Sequence, residues 1–179
     1  MKTKYISACL ATGLLALGAS SSWAESSSVA KLNFSCQVNQ GIPTTVAQKS
    51  GSETVVPVFH WKNEALPTSM DAKQLCDRVS AKLEDYSAQD YDLSTIGFSS
   101  AEQAGLPAIC ATGKDNGDCS LVLFTLAPTD NPVNSANEVL DAILDRSLQS
   151  NKHVSSDRGV QSISYQVNLW DILGLKLIQ

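Results

Sequence analysis

The chain has 179 residues with 13 basic and 18 acidic side chains, a net charge of −5, and 43% hydrophobic residues. That composition suits one folded domain with a real core. It argues against nucleic acid as a partner, because such binding rests on neutralised phosphates, and it disfavours broad adhesion to anionic lipid headgroups.

The first 24 residues read as an export signal. Lys2 and Lys4 precede an apolar stretch from Ile6 to Ala19, and Ser22-Trp23-Ala24 supplies the small-x-small pattern of a cleavage site. The stretch is too short to span a bilayer, which needs about 20 residues. Cleavage after Ala24 removes Lys2, Lys4 and Cys9; it leaves 155 residues carrying 11 basic and 18 acidic side chains, net −7. Residues 25–31 then read as a short, mobile mature terminus, and residues 32–179 as a single domain.

Four cysteines remain after processing: Cys36, Cys76, Cys110 and Cys119. An even count in an exported chain points to disulfides rather than thiolate metal ligands. Four cysteines allow three pairings, and the sequence does not choose among them. We expect Cys110 with Cys119, which are close in sequence, and Cys36 with Cys76, which would tie a strand to a helix. On the chain-entropy account these crosslinks contribute at most about 2.7 and about 4 kcal/mol. Zinc would need C-x-x-C pairs or interleaved histidines, and neither is present.

In chain order, Leu32, Phe34, Cys36 and Val38 alternate along a half-buried strand. Gly41-Ile42-Pro43 reads as a turn, Thr44 to Gln48 as a second strand, and Ser50-Gly51-Ser52 as another turn. Thr54 to Trp61 is a β-branched and aromatic run interrupted by Pro57, which places it at an edge or a bulge. The period then changes. Ala72, Leu75, Cys76, Val79, Leu83 and Tyr86 recur at helical spacing, with Ser69 as N-cap and Asp71 in the first turn.

Asp92 to Phe98, Ala108 to Thr112 and Ser120 to Leu126 are further strands. Leu121-Val122-Leu123-Phe124 is apolar on both faces and is expected to be central. Asn116-Gly117 suits a tight hairpin that would set Cys119 opposite Lys114. A Cys110–Cys119 bridge instead needs a broad loop over residues 111–118, and the bridge is the option we favour. Ser135-x-x-Glu138 forms a capping box for a helix striped by Val139, Leu140, Ile143, Leu144 and Leu148. Ser150 to Gly159 reads as a flexible loop, Ser162 to Leu169 as the last strand, and Trp170 to Ile178 as the start of a short closing helix. The expected fold is α+β: a mostly antiparallel sheet of about six to seven strands with two main amphipathic helices, braced by disulfides.

Phe34-Ser-Cys36, Thr45-Val-Ala47, Val56-Pro-Val-Phe-His-Trp61, Cys76-x-x-Val79-Ser80, Ile109-Cys110 and Cys119-x-Leu-Val-Leu-Phe-Thr-Leu126 stand in that order. This arrangement resembles the circadian oscillating protein family of cyanobacteria, from about Leu32 to about Leu173. The resemblance implies an exported cyanobacterial protein, peripherally associated with membrane, without an assigned enzymatic activity. It carries over no catalytic residue.

The residues show no assembled chemistry of their own. Gly97-Phe98-Ser99-Ser100-Ala101 is not a nucleophile elbow. His60 and His153 are the only histidines, one beside Trp61 in a strand and one in a polar stretch. With all mature cysteines bridged, no thiol is left for Cys–His catalysis. Asp115, Asn116 and Asp118 crowd oxygens into one loop but miss the calcium-loop spacing. Asn33-Phe34-Ser35 matches a glycosylation sequon, which matters only in hosts with that machinery.

The expectation is therefore a non-catalytic exported domain without cofactor or metal, located in the periplasm, thylakoid lumen or extracellular space. Its partner would be a protein or envelope component, with peripheral membrane contact. The candidate contact surfaces are exposed parts of the Trp61 strand and the apolar terminus around Trp170. The competing readings are an envelope hydrolase using a carboxylate pair, and an inhibitor-like module presenting the 111–118 loop.

Overall fold

A computed structural model describes residues 31–89, 95–113, 119–157 and 160–173. The signal segment, residues 25–30, the Asp115–Asp118 cluster and the terminus beyond Leu173 lie outside the described residues.

Among the described residues, eight strands form two antiparallel sheets. The first holds β1 (Leu32–Asn39), β2 (Ile42–Lys49) and β3 (Val55–His60) in that order. The second holds β4 (Ile96–Gln103), β5 (Leu106–Thr112), β6 (Leu121–Thr125), β7 (Lys152–Asp157) and β8 (Val160–Val167), in the order β6-β5-β4-β8-β7. Helix α1 (Ala72–Ser87) links the sheets, α2 (Pro132–Ile143) links β6 to β7 through a 3-10 segment at Arg146–Asn151, and α3 (Leu169–Ile172) follows β8. The expected α+β class with disulfide bracing is the observed one, with the strands divided between two sheets. Among the described residues, no helix is long and apolar enough to cross a membrane.

Local chemistry explains where these elements start and stop. The β1–β2 turn is Gln40-Gly41, with φ of 50° and 82° at the two positions. Positive φ at both central residues is the hairpin turn that matches strand twist. Ile42 and Pro43, expected in the turn, open β2 instead. Pro57 does lie on an edge strand, and the ladder slips beside it: Thr45 faces Phe59 while Val46 faces Pro57, so Val58 is the extra residue of a bulge. Helix α1 is capped by Asp71, whose carboxylate accepts from Gln74 N at 2.7 Å, so Ser69 is not the cap.

Three further expectations are corrected. Helix α2 begins at Pro132 behind Asn131, three residues before the Ser135 box, because proline at the first helical position has no N–H to satisfy. The stretch from Ser150 is no loop: residues 152–157 form β7, which is polar because it is an exposed edge. The run Leu121–Phe124 belongs to an edge strand, β6, rather than a central one. Its outer side is covered by α1, where Lys82 Nζ donates to the carbonyls of Val122 and Leu123 at 2.9 Å each. Beyond a bulge in β5–β6, Cys110 faces Val122 and Ala111 faces Leu121.

Both disulfides join the expected partners. Cys36 on β1 bridges Cys76 on α1 with Cα atoms 5.5 Å apart, and Cys110 bridges Cys119 at 5.2 Å. Between the sheets, Phe59 and Trp61 from the first meet Phe98 and Phe124 from the second, with ring centroids 4.8 Å apart for Phe59–Phe98 and 5.6 Å for Trp61–Phe124. The inner face of α1 (Leu75, Cys76, Val79, Leu83) and that of α2 (Ala136, Leu140, Ile143) complete one core.

Candidate functional site

A polar hollow with a potential acid–base group lies where the first sheet meets the end of α2. It has a volume of about 430 Å³ and is bordered by His60, Lys62, Asp141, Asp145, Arg146 and Gln149. The backbone builds it. Leu144 bridges to Phe59 on the free side of β3, and Asp145 N donates to Val58 O at 2.9 Å. The chain leaving α2 thus adds itself to the edge of β3 and delivers Asp145 to His60.

The His60 Nε2 to Asp145 Oδ2 distance is 2.7 Å. Asp145 also caps the 3-10 segment, accepting from the Ser147 amide at 2.8 Å and from its hydroxyl. Burial alone would raise this carboxyl, but the hydrogen bonds from Ser147 and His60 outweigh it and hold Asp145 below the usual value of 3.8. On its other side, His60 Nδ1 lies 3.4 Å from Thr44 Oγ1. Thr, His and Asp in line have the order of a hydrolytic triad. Thr44, however, is 0% exposed and its hydroxyl faces Ile42 O at 3.1 Å. A nucleophile must reach substrate, and this one does not. The arrangement fastens β3 to the end of α2.

Asp141, the second carboxylate at the hollow, is also engaged. Lys152 Nζ reaches its two oxygens at 3.0 and 2.7 Å, and the Tyr165 hydroxyl donates to Oδ1. The hydrogen bond to Asp141 raises the Lys152 ammonium. Burial first and Asp141 second raise the Tyr165 phenol. Lys152 also stands 5.5 Å over the Tyr165 ring.

A second hollow, also about 430 Å³, opens where the large sheet forks. Strands β4 and β8 pair only from Ile96–Val167 to Ser99–Ser164. Past that point Asn137 of α2 fills the gap, accepting from Ile163 N at 3.1 Å and donating to Gln161 O at 2.8 Å. Ser100 Oγ accepts from the same Ile163 N at 3.0 Å. Side chains here replace a missing stretch of ladder.

The other predicted residues fall as follows. Trp61 is 1% exposed, and its indole N–H donates to Thr45 Oγ1 at 2.9 Å, so it is a core residue and not a contact surface. Its position at the end of an edge strand suggested exposure, but α1 and the second sheet cover it. The Trp170 side chain lies outside the described residues. His153 is exposed on β7. Asn33 Nδ2 donates to Ser50 Oγ at 3.2 Å. Among the described residues no three His, Cys, Asp or Glu side chains converge to hold a metal ion. Asp145 and Asn137 were missed in the sequence. The Asp145-x-Ser147 turn signal marks the first; nothing local marks the second, whose partners lie on other elements.

Residues 33–173 match the family described as circadian oscillating protein COP23, and the chain belongs to that family. No curated protein and no solved structure matches the chain significantly.

Proposed function

We propose that this member of the circadian oscillating protein COP23 family is an exported domain that works by binding a protein or envelope component, without catalysing a reaction. The observation that carries the reading is how its reactive side chains are used. His60 holds Asp145, Asp141 holds Lys152 and Tyr165, and Cys36, Cys76, Cys110 and Cys119 are bridged. The hydroxyl in line with His60 belongs to the buried Thr44, and the bridged cysteines offer no thiol nucleophile.

Two disulfides support an oxidising compartment. The Lys2–Ala24 segment supports export through a cleaved signal, and the family resemblance points to a cyanobacterial source. The periplasm, thylakoid lumen and extracellular space all fit. With Trp61 in the core, the contact surface moves to the C-terminal end, where Ile172 on α3 is 42% exposed.

Fractionation of the native cells tests this. The expected result is protein in the membrane fraction released by high salt together with a crosslinkable partner. Recovery only as a free monomer with nothing crosslinked overturns it. The hydrolase reading requires Asp141 and Asp145 to act on a glycan or peptide, and turnover abolished by Asp141→Asn or Asp145→Asn with the fold intact would establish it instead.

A further inference from the structure

The sheet edges of this domain are treated unequally. Along the outer side of β1, Phe34 N donates to Glu84 Oε2 at 2.6 Å and Ser87 Oγ donates to Leu32 O at 2.9 Å, both from α1, and the Cys36–Cys76 bridge lies on the same side. What remains open on β1 is its short hairpin end. The outer side of β3 is occupied by Leu144 and Asp145, and that of β6 by Lys82. Stoppering of this kind keeps strands from pairing with other chains. Strand β7 has no such stopper among the described residues. It is exposed, six residues long, and free of proline and bulge.

The direction of its backbone groups follows from its neighbour. Ile163 N and O and Gln161 O are bonded to Ser100 and Asn137 on the β4 side of β8. Ser162 and Ser164 therefore turn theirs toward β7, where they face Ser155 and His153. Lys152, Val154 and Ser156 are left with their N–H and C=O groups pointing out of the sheet.

We propose that β7 is the edge through which two copies of this chain pair, antiparallel, about a two-fold axis at Val154. A two-fold perpendicular to a sheet keeps each side chain on its own face, so directly opposed residues must have numbers of the same parity. Centring on Val154 opposes Val154 with Val154, Lys152 with Ser156, and His153 with Ser155. All three outward residues of each copy then find partners. Val154, 57% exposed on an otherwise polar strand, is covered by its counterpart. The charge pattern favours a second copy: no like charges meet at the seam, although the chain as a whole carries −5. The contact is small beside the about 1,200–2,000 Å² of a stable interface. The dimer is accordingly weak and concentration-dependent.

Sedimentation velocity of the oxidised, processed chain from about 1 μM to about 1 mM tests this. A monomer–dimer equilibrium is expected within that range. Val154→Lys sets two ammonium groups against each other and weakens association about tenfold or more, with the monomer's unfolding midpoint unchanged. Val154→Cys gives a covalent dimer on oxidation, because opposed hydrogen-bonded residues lie about 5.5 Å apart, within disulfide reach. Ser156→Cys, opposed by Lys152, does not. A chain monomeric throughout, or one that dimerises equally well with Lys at 154, overturns the proposal; so does equal crosslinking through the two introduced cysteines.

Discussion

Gly97 in β4 lies in a row between Thr112 of β5 and Gln166 of β8. A methyl group added there would sit 2.0 Å from Thr112 Oγ1 and 2.9 Å from Gln166 Nε2. Its φ is not positive, unlike those of Gly41, Gly51 and Gly105, so the requirement for glycine is steric and not conformational. Thr112 is 0% exposed and β-branched, which restricts its escape to another rotamer. Overpacking of this kind costs about 1–3 kcal/mol. At about 2–4 °C per kcal/mol for a domain of this size, Gly97→Ala should lower Tm by about 2–12 °C. The Thr112 hydroxyl is buried without a hydrogen-bond partner, so Thr112→Ala removes the clash without breaking a hydrogen bond. The double variant should therefore recover at least about 1 kcal/mol relative to the sum of the singles. Urea unfolding of the four proteins followed by circular dichroism measures this. A Gly97→Ala protein as stable as the parent, or strictly additive singles, would refute the reasoning.

Other outcomes follow from the same structure. A double-mutant cycle with His60→Ala and Asp145→Asn should give a coupling of about 1–2 kcal/mol, between that of an exposed ion pair and that of a charged hydrogen bond; a value near zero would mean the contact holds nothing. Because the folded state depresses the Asp145 carboxyl below 3.8, its contribution is present above that pH and lost as pH falls through the folded value. Unfolding free energy measured from pH 5 to pH 2 should thus decline less steeply for Asp145→Asn than for the parent. Replacing both Cys36 and Cys76 by Ala should cost up to about 4 kcal/mol and replacing Cys110 and Cys119 up to about 2.7, so the first pair should shift the denaturant midpoint further. The reverse order would contradict the loop-closure argument.

What was legible in the sequence was what a single element announces by itself. The spacing of Leu75, Val79 and Leu83 fixed both the helix and its buried face. Pro57 marked an edge strand and a bulge together, because one missing N–H has the same consequence in either setting. The cysteine pairing was an expectation drawn from proximity and a buried helical position, one of three the sequence allows. What escaped depends on neighbours distant in sequence. Leu121–Phe124 looks central because α1, some 40 residues earlier, covers an edge that would otherwise face water. Lys152–Asp157 looks like a loop because an edge strand with both faces exposed has no apolar alternation to display. Trp61 looked available because nothing near it predicts that Phe124 and α1 would bury it. The His60–Asp145 contact spans 85 residues, and only the chain leaving α2 alongside β3 brings it about.

The most direct measurement is the intact mass of the protein isolated from its native source without reductant. Export with oxidative bracing predicts a chain beginning at Glu25, four hydrogens lighter than the reduced form, whose peptides link Cys36 to Cys76 and Cys110 to Cys119. A chain that still begins at Met1 with its thiols free would contradict it.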